Sequence, residues 1–194
     1  MQPHAREVLE GVYDIPGLDI DGVVLDLGAN VGAFSLWALS RWPKCEVVAF
    51  EPHPGNADMW RANLADERRR AVIDERAVYN AMGEVSLYPG GPNCGCASLW
   101  CGPEQQEESS AITVRMLDAG ELGRAQFLKL DTEGAERVIL QRYRHLDDVR
   151  GVALEWHSQS DRVEIARLLS GAGFALVGDA VHHPIRGVQR WKRS

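Results

Sequence analysis

The chain has 194 residues, 45% of them hydrophobic and 25% charged, which suits an ordinary globular domain able to bury a core without disulfides or metals. A formal net charge of −7 works against sequence-independent binding to a phosphate backbone, and the longest apolar runs, such as residues 47–50, are far too short to cross a bilayer. Residues 1–7 contain no apolar stretch of signal-peptide type, so the expectation is a cytoplasmic protein with no membrane partner, folded as one domain over residues 1–194.

In chain order, residues 1–20 form a short extension. Residues 23–26 read as a buried strand and residues 31–41 as a helix, with Phe34, Trp37, Ala38 and Arg41 at helical spacing. A strand at 46–50, a helix at 56–65 and a third strand from 71 towards Val78 continue the alternation, which argues for a parallel sheet with right-handed crossovers. Residues 84–88 alternate like a half-exposed strand, 89–110 form a long loop, and 111–115 return as a short strand. The α/β rhythm resumes with a strand at 126–131, a helix at 133–143, a strand at 151–155 and a helix at 161–169. Gly171 and Gly173 then mark a stop. Residues 174–177 and 187–191 form two last strands, read as an antiparallel pair, with His182 and His183 in their connection. Arg68–Arg70 and the cluster Arg186, Arg190, Lys192 and Arg193 read as solvated charge at a helix end and at the terminus.

Four strand ends carry the chemistry. Residues 23–34 run from strand through a Gly-rich turn into a helix. Gly28 and Gly32 let the backbone turn sharply and approach a ligand, while the turn's N–H groups suit an anionic group. The two glycines stand four positions apart, which is not the G-x-G-x-x-G spacing of dinucleotide binders and disfavours a nicotinamide cofactor. Glu51 ends the second strand 25 positions after Asp26, where an acid can accept both hydroxyl hydrogens of a ribose. In residues 127–136 a strand carries Lys129 and ends in Asp131, Glu133 and Glu136. Carboxylates at such an end face the ligand crevice, and Glu136 also suits a helix N-terminus. Residues 152–157 end in Glu155 and His157, and a histidine just past a strand end can act there as a general base.

These segments together resemble the FkbM family of S-adenosylmethionine-dependent methyltransferases. The resemblance rests on LDLGANVGAFSLWAL (25–39), AFEPHPGNADMWRANL (49–64), ITVRMLDAGELGRAQFLKLDTEGAERVIL (112–140) and LLSGAGFALV (168–177), and spans residues 20–180. It implies an α/β, Rossmann-like class I methyltransferase fold: a seven-stranded, mostly parallel sheet, helices on both faces and an extra hairpin around 84–115. It also implies S-adenosyl-L-methionine as cofactor, with Gly28, Asn30 and Gly32 lining the methionine part and Asp26 at the base of the loop. Glu51 would hold the ribose, and Ala77 and Val78 would lie near adenine. Asp131 and Glu133 would border the methionine end and the acceptor, usually an oxygen on a small molecule.

Methyl transfer to oxygen needs alignment and a base for the hydroxyl proton. His157 is the first candidate base, with Asp131 and Glu155 as alternatives. A divalent metal on Asp131, Glu133 and Glu155 is the less favoured route, and no metal site is assigned. The acceptor expected is a hydroxylated natural product or sugar. An RNA ribose or base methyltransferase is disfavoured by the acidic balance, and a non-catalytic binding module by the intact 131–136 cluster. Cys94, Cys96 and Cys101 are one ligand short of tetrahedral zinc, which His53 or Cys45 could complete, but their spacing favours reduced loop cysteines. About twenty residues before the first strand leave little for a lid. The site is therefore expected to be open, covered by 89–110, or completed by a second subunit in a homodimer.

Overall fold

Alternation of apolar side chains along short central strands builds a sheet with a core on each face. The structure is a computed structural model that describes residues 3–89, 97–98 and 111–194. The first half contains α1 (Pro3–Leu9), β1 (Val23–Leu27), α2 (Ala33–Arg41), β2 (Glu46–Phe50), α3 (Pro54–Asn63) and β3 (Ala71–Asp74). The middle contains β4 (Ala77–Tyr79), β5 (Gly83–Pro89), β6 (Ala97–Ser98) and β7 (Ile112–Asp118). The last part contains β8 (Phe127–Leu130), α4 (Glu136–Arg142), β9 (Gly151–Trp156), α5 (Gln159–Gly171), β10 (Phe174–His183) and β11 (Arg186–Arg193).

The main sheet has seven strands in the order β10-β11-β9-β8-β1-β2-β3. The pairs β1–β2, β2–β3, β1–β8 and β8–β9 are parallel, and β11 runs antiparallel to both β9 and β10. On one face Leu25, Leu27, Leu128, Leu130, Val152, Leu154 and Trp156 meet Ile139 and Leu140 of α4 and Ile165 and Leu169 of α5. On the other, Val24, Val47, Ala49, Phe127 and Ala153 meet Phe34, Ala38 and Leu39 of α2 and Trp60 of α3. Period-two alternation thus sends each strand's neighbours to opposite cores.

Three expectations change. The third strand does not continue to Val78, because Asp74 turns the chain out of the main sheet: its Oδ1 accepts the Arg76 N–H at 2.9 Å. Ala77 and Val78 instead start β4, which pairs with β7 in a second, four-stranded sheet, so the extra hairpin of β5 and β7 has a third strand beside it and β6 at its edge. The final hairpin is longer than expected. His182 and His183 lie inside β10, and the basic cluster at the C-terminal end is part of a strand: Arg193 donates to the carbonyls of Val149 (2.6 Å) and Ala172 (3.0 Å). The N-terminal segment is also not a bare extension. Tyr13, Ile15, Leu18 and Ile20 are buried in the core beneath α2, with Val8 and Val12 packed against it. Most of the 89–110 loop, including Cys94, Cys96 and Cys101, lies outside the described residues. Cys45 is fully buried in the core, with its Sγ 3.7 Å from the Ala38 carbonyl. Among the described residues, no helix is long and apolar enough to cross a membrane.

Candidate active site

The carboxyl ends of β1, β2, β8 and β9 converge on one cavity of about 250 Å³. Gly28, Asn30, Glu51, Asp131, Thr132, Glu133 and Glu155 line it from the main sheet, and Ala77, Val78 and Leu87 from the smaller one. Glu7, Val8, Val12 and Tyr13 close it from the N-terminal segment, and His182, Arg186 and Val188 from the last hairpin. Ligands of open α/β sheets bind in this position because the strand ends and helix N-termini leave polar backbone facing a crevice.

The Gly-rich turn is built for close approach. Gly28 has φ +77°, and its N–H and that of Ala29 donate to the Phe50 carbonyl, each at 3.0 Å. A Cβ at Gly28 would overlap the carbonyl oxygen of Asp131, so only glycine lets the β1 and β8 ends meet here. Gly32 (φ +91°) has a different task. A side chain there would strike Leu64 Cδ1 at 2.6 Å and Trp60 Cδ1 at 2.8 Å, so this glycine seats α2 against α3 and does not line the cavity.

Glu51 is 5% exposed and lies on the cavity wall. Its Oε2 accepts the Asn30 N–H at 2.8 Å and its Oε1 the His53 N–H at 2.9 Å. Burial, the largest influence, raises its carboxyl above the usual range against the pull of those two N–H groups. Oε1 also meets the Asn56 side-chain amide at 3.5 Å, a long contact that a hydroxyl donor can displace, while Oε2 keeps one of its two acceptor sites open.

Asp26 and Lys129 face each other directly in the β1–β8 register and are both buried. Asp26 accepts from Ser35 Oγ at 2.6 Å and lies 3.3 Å from the Lys129 ammonium, which donates to the Gly28 carbonyl at 2.6 Å. Burial works against the charge on Lys129, but Asp26 and Asp131 outweigh it and raise its pKa. Asp26 does not reach the cavity. It anchors the lysine that ties the Gly-rich turn to Asp131, whose Oδ2 is 3.8 Å from Lys129 Nζ.

Asp131 also accepts from the Tyr13 hydroxyl at 3.3 Å. Burial disfavours its charge, but Lys129, His157 and the contacts of Glu155 and Tyr13 hold its carboxyl below the usual range. The opposite holds for Glu155, which burial and the Asp131 charge push up to about 8 against His157 and Arg186. The Arg186 Nε lies 3.2 Å from Glu155.

His157 is not on the cavity wall. It sits behind the carboxylates, with Nε2 3.3 Å from Glu133, Nδ1 3.4 Å from Glu136 and Nε2 4.0 Å from Glu155. Burial opposes its charge, yet Glu136, Glu133 and Asp131 raise it to about 9. An imidazole already protonated at neutral pH cannot accept a proton, so the site does not offer His157 as the base. Donor atoms of Asp131, Glu155 and His157 lie within 4.8 Å of one another, a different trio from the Asp131, Glu133 and Glu155 considered from the sequence. Their mutual contacts already pair these charges. Tyr13, His182 and Arg186 are among the cavity residues that the sequence reading did not place at the site. Tyr13 had a signal, since Val8, Val12, Tyr13, Ile15 and Leu18 are too apolar for a solvated extension.

A seven-stranded sheet of this order, with one antiparallel strand and acids at the strand ends around one cavity, defines the class I methyltransferase fold. The chain belongs to the FkbM methyltransferase family: the family's methyltransferase FkbM domain matches residues 26–176, and the protein is a methyltransferase. It is 30% identical to the 31-O-demethyl-FK506 methyltransferase FkbM of Streptomyces tacrolimicus over 81% of this chain and 74% of that one. It is 28% identical to the methyltransferase sdnD of Sordaria araneosa, over 86% of this chain and 79% of the relative. The fold is similar to the crystal structure of a methyltransferase FkbM from Methylobacillus flagellatus KT, with a TM-score of 0.69 and 15% identity over 95% of this chain and 47% of that one.

Proposed function

We propose that the protein transfers a methyl group from S-adenosylmethionine to a hydroxyl oxygen of a small molecule. The observation that carries the reading is Glu51: a buried carboxylate at the second strand end, oriented by two backbone N–H groups, with acceptor sites left on the cavity wall. That donor set fits a ribose diol, whose two hydroxyls both need acceptors. Phe50, Ala77, Val78 and Leu87 supply an apolar surface for adenine, while Gly28 and Asn30 border the methionine part. When bound, the cofactor supplies a methyl group already activated by its sulfonium.

What remains for the chain is to align the acceptor and take its proton. Asp131 and Glu155 share the charge of one carboxylate at neutral pH, because burial and mutual repulsion keep the second proton on. Both line the cavity, so this pair replaces His157 as the proposed base. Tyr13 and Lys129 keep Asp131 oriented.

Support for a small acceptor comes from Glu7, Asp131, Glu133 and Glu155 on the cavity wall, which outnumber its arginines Arg76 and Arg186 and disfavour an RNA backbone. A relative named for an oxygen-demethylated small molecule points the same way. Calorimetry with S-adenosylmethionine, S-adenosylhomocysteine and NAD is the first test. Binding of the first two without NAD is expected, and tight NAD binding with no response to the others refutes the proposal. A methyl-transfer screen against hydroxylated sugars, phenols and macrolides then tests the acceptor class.

A further inference from the structure

The turn between β8 and α4 supplies four cavity-lining residues, Asp131, Thr132, Glu133 and Ala135. Its backbone is unusual. Glu133 has φ +54° and Gly134 φ +106°, so a non-glycine residue holds a left-handed conformation on the cavity wall. Such a conformation persists when surrounding contacts dictate it. Here one side chain does so. The Glu136 carboxylate accepts the Thr132 N–H at 2.7 Å, the Thr132 hydroxyl at 3.1 Å and the Gly134 N–H at 3.1 Å. Glu136 is 1% exposed, so its charge is out of water. Among the described residues, the cation within ion-pair distance of it is His157, at 3.4 Å, whose other ring nitrogen lies 3.3 Å from Glu133.

We infer that His157 is a positioning residue: as an imidazolium bridging Glu136 and Glu133, it pins the 131–136 turn from behind and thereby presents Asp131 and Glu133 to the cavity. A buried carboxylate without a countercharge is strongly unfavourable. With His157 absent, Glu136 would have to take up a proton or swing out, and either change weakens its hold on the Thr132 and Gly134 amides. His157 itself needs no contact with donor or acceptor. Its link to function rests on the cofactor reading above, whereas its hold on the turn does not.

The experiment compares wild type with His157→Gln, Glu136→Gln and the double variant. Amide hydrogen exchange reads the turn directly, and calorimetry with S-adenosylhomocysteine reads its effect on the cavity. His157→Gln should speed exchange at Thr132 and Gly134 and weaken ligand binding, each by about tenfold, while leaving β8 and β9 protected. Adding Glu136→Gln to His157→Gln should restore much of both. The amide oxygen still accepts from the turn, and the fully buried charge is gone, while Glu133 remains partly open to water. A space-filling role for the imidazole would not give that rescue. Unchanged exchange at Thr132 and Gly134 in a folded His157→Gln protein overturns the inference, as does a double variant no better than the single. If His157→Gln does not fold, nitrogen NMR of the wild-type imidazole decides: protons on both ring nitrogens at pH 7 support the bridge, and a neutral ring refutes it. If S-adenosylhomocysteine does not bind wild type, the cofactor reading falls, and the exchange arm still decides the role of His157.

Discussion

Replacing Glu51 with glutamine changes one oxygen to an NH2 group and leaves the shape of the side chain intact. In the free protein, Glu51 accepts the Asn30 and His53 backbone N–H groups with separate oxygens, at 2.8 and 2.9 Å. Glutamine can serve one of them, and its NH2 meets the other. One N–H is then left unpaired in a site where the side chain is 5% exposed. A buried unsatisfied donor costs about 1–3 kcal/mol. For a domain of this size that corresponds to a melting temperature lower by roughly 3–10 °C. The effect on ligand is separate. One hydroxyl hydrogen bond passes from a charged to a neutral acceptor, a loss of about 1 kcal/mol, and the other hydroxyl meets the NH2 group and loses its acceptor, about 1 kcal/mol more. The sum predicts binding of S-adenosylhomocysteine about thirtyfold weaker. Calorimetry on the folded variant, with circular dichroism as the control for structure, measures both. A variant that melts lower but binds with wild-type affinity would show that Glu51 only braces the Gly-rich turn, and the ribose assignment would be lost.

Gly28→Ala places a Cβ on the Asp131 carbonyl oxygen at a φ of +77°. The left-handed conformation costs about 1–2 kcal/mol and overpacking about 1–3 more, so a melting point lower by several degrees and lost ligand binding are expected, as read by thermal melts and calorimetry. An alanine variant with wild-type melting and affinity would contradict the close approach. Glu155 and His157 are both raised, to about 8 and about 9, so each contributes stability that is complete below its ordinary value and lost as pH climbs through the raised one. Asp131 is lowered, so its contribution is present above its ordinary value and disappears only in acid. Melting temperature should therefore fall as pH rises from about 4.5 to 8 through Glu155 and from about 6.5 to 9 through His157, and His157→Gln should flatten the upper part of that slope. A wild-type profile flat across this window would refute the assigned protonation. For turnover, once an acceptor is in hand, Asp131→Asn should lower the rate by about 10²-fold or more. The wild-type rate should rise towards pH 8 as the Asp131–Glu155 pair sheds its shared proton, and Glu155→Gln should abolish that rise. A rise preserved in Glu155→Gln would move the base elsewhere.

Sequence alone determined the α/β alternation, the seven-stranded plan, the glycine turn and the acids at the strand ends. Each is a local signal: apolar runs, glycine spacing, a carboxylate just past a β-branched segment. It also reached the placement of Glu51, because a residue that ends a parallel strand must sit at the crevice. The register of one strand against another was beyond it, and with it the pairing of Asp26 with Lys129. No local pattern distinguishes an acid that faces a ligand from one that anchors a buried lysine, or Gly28 at the cavity from Gly32 seating two helices. The role of His157 shows the limit most clearly. Its position past a strand end is right for a base, and its protonation is set by Glu133 and Glu136, which reach it only through the packing of α4 against β9. Tyr13 lies 118 positions from the aspartate it bonds. Charge state and orientation are sums over neighbours in space, and only the tertiary structure decides who those neighbours are.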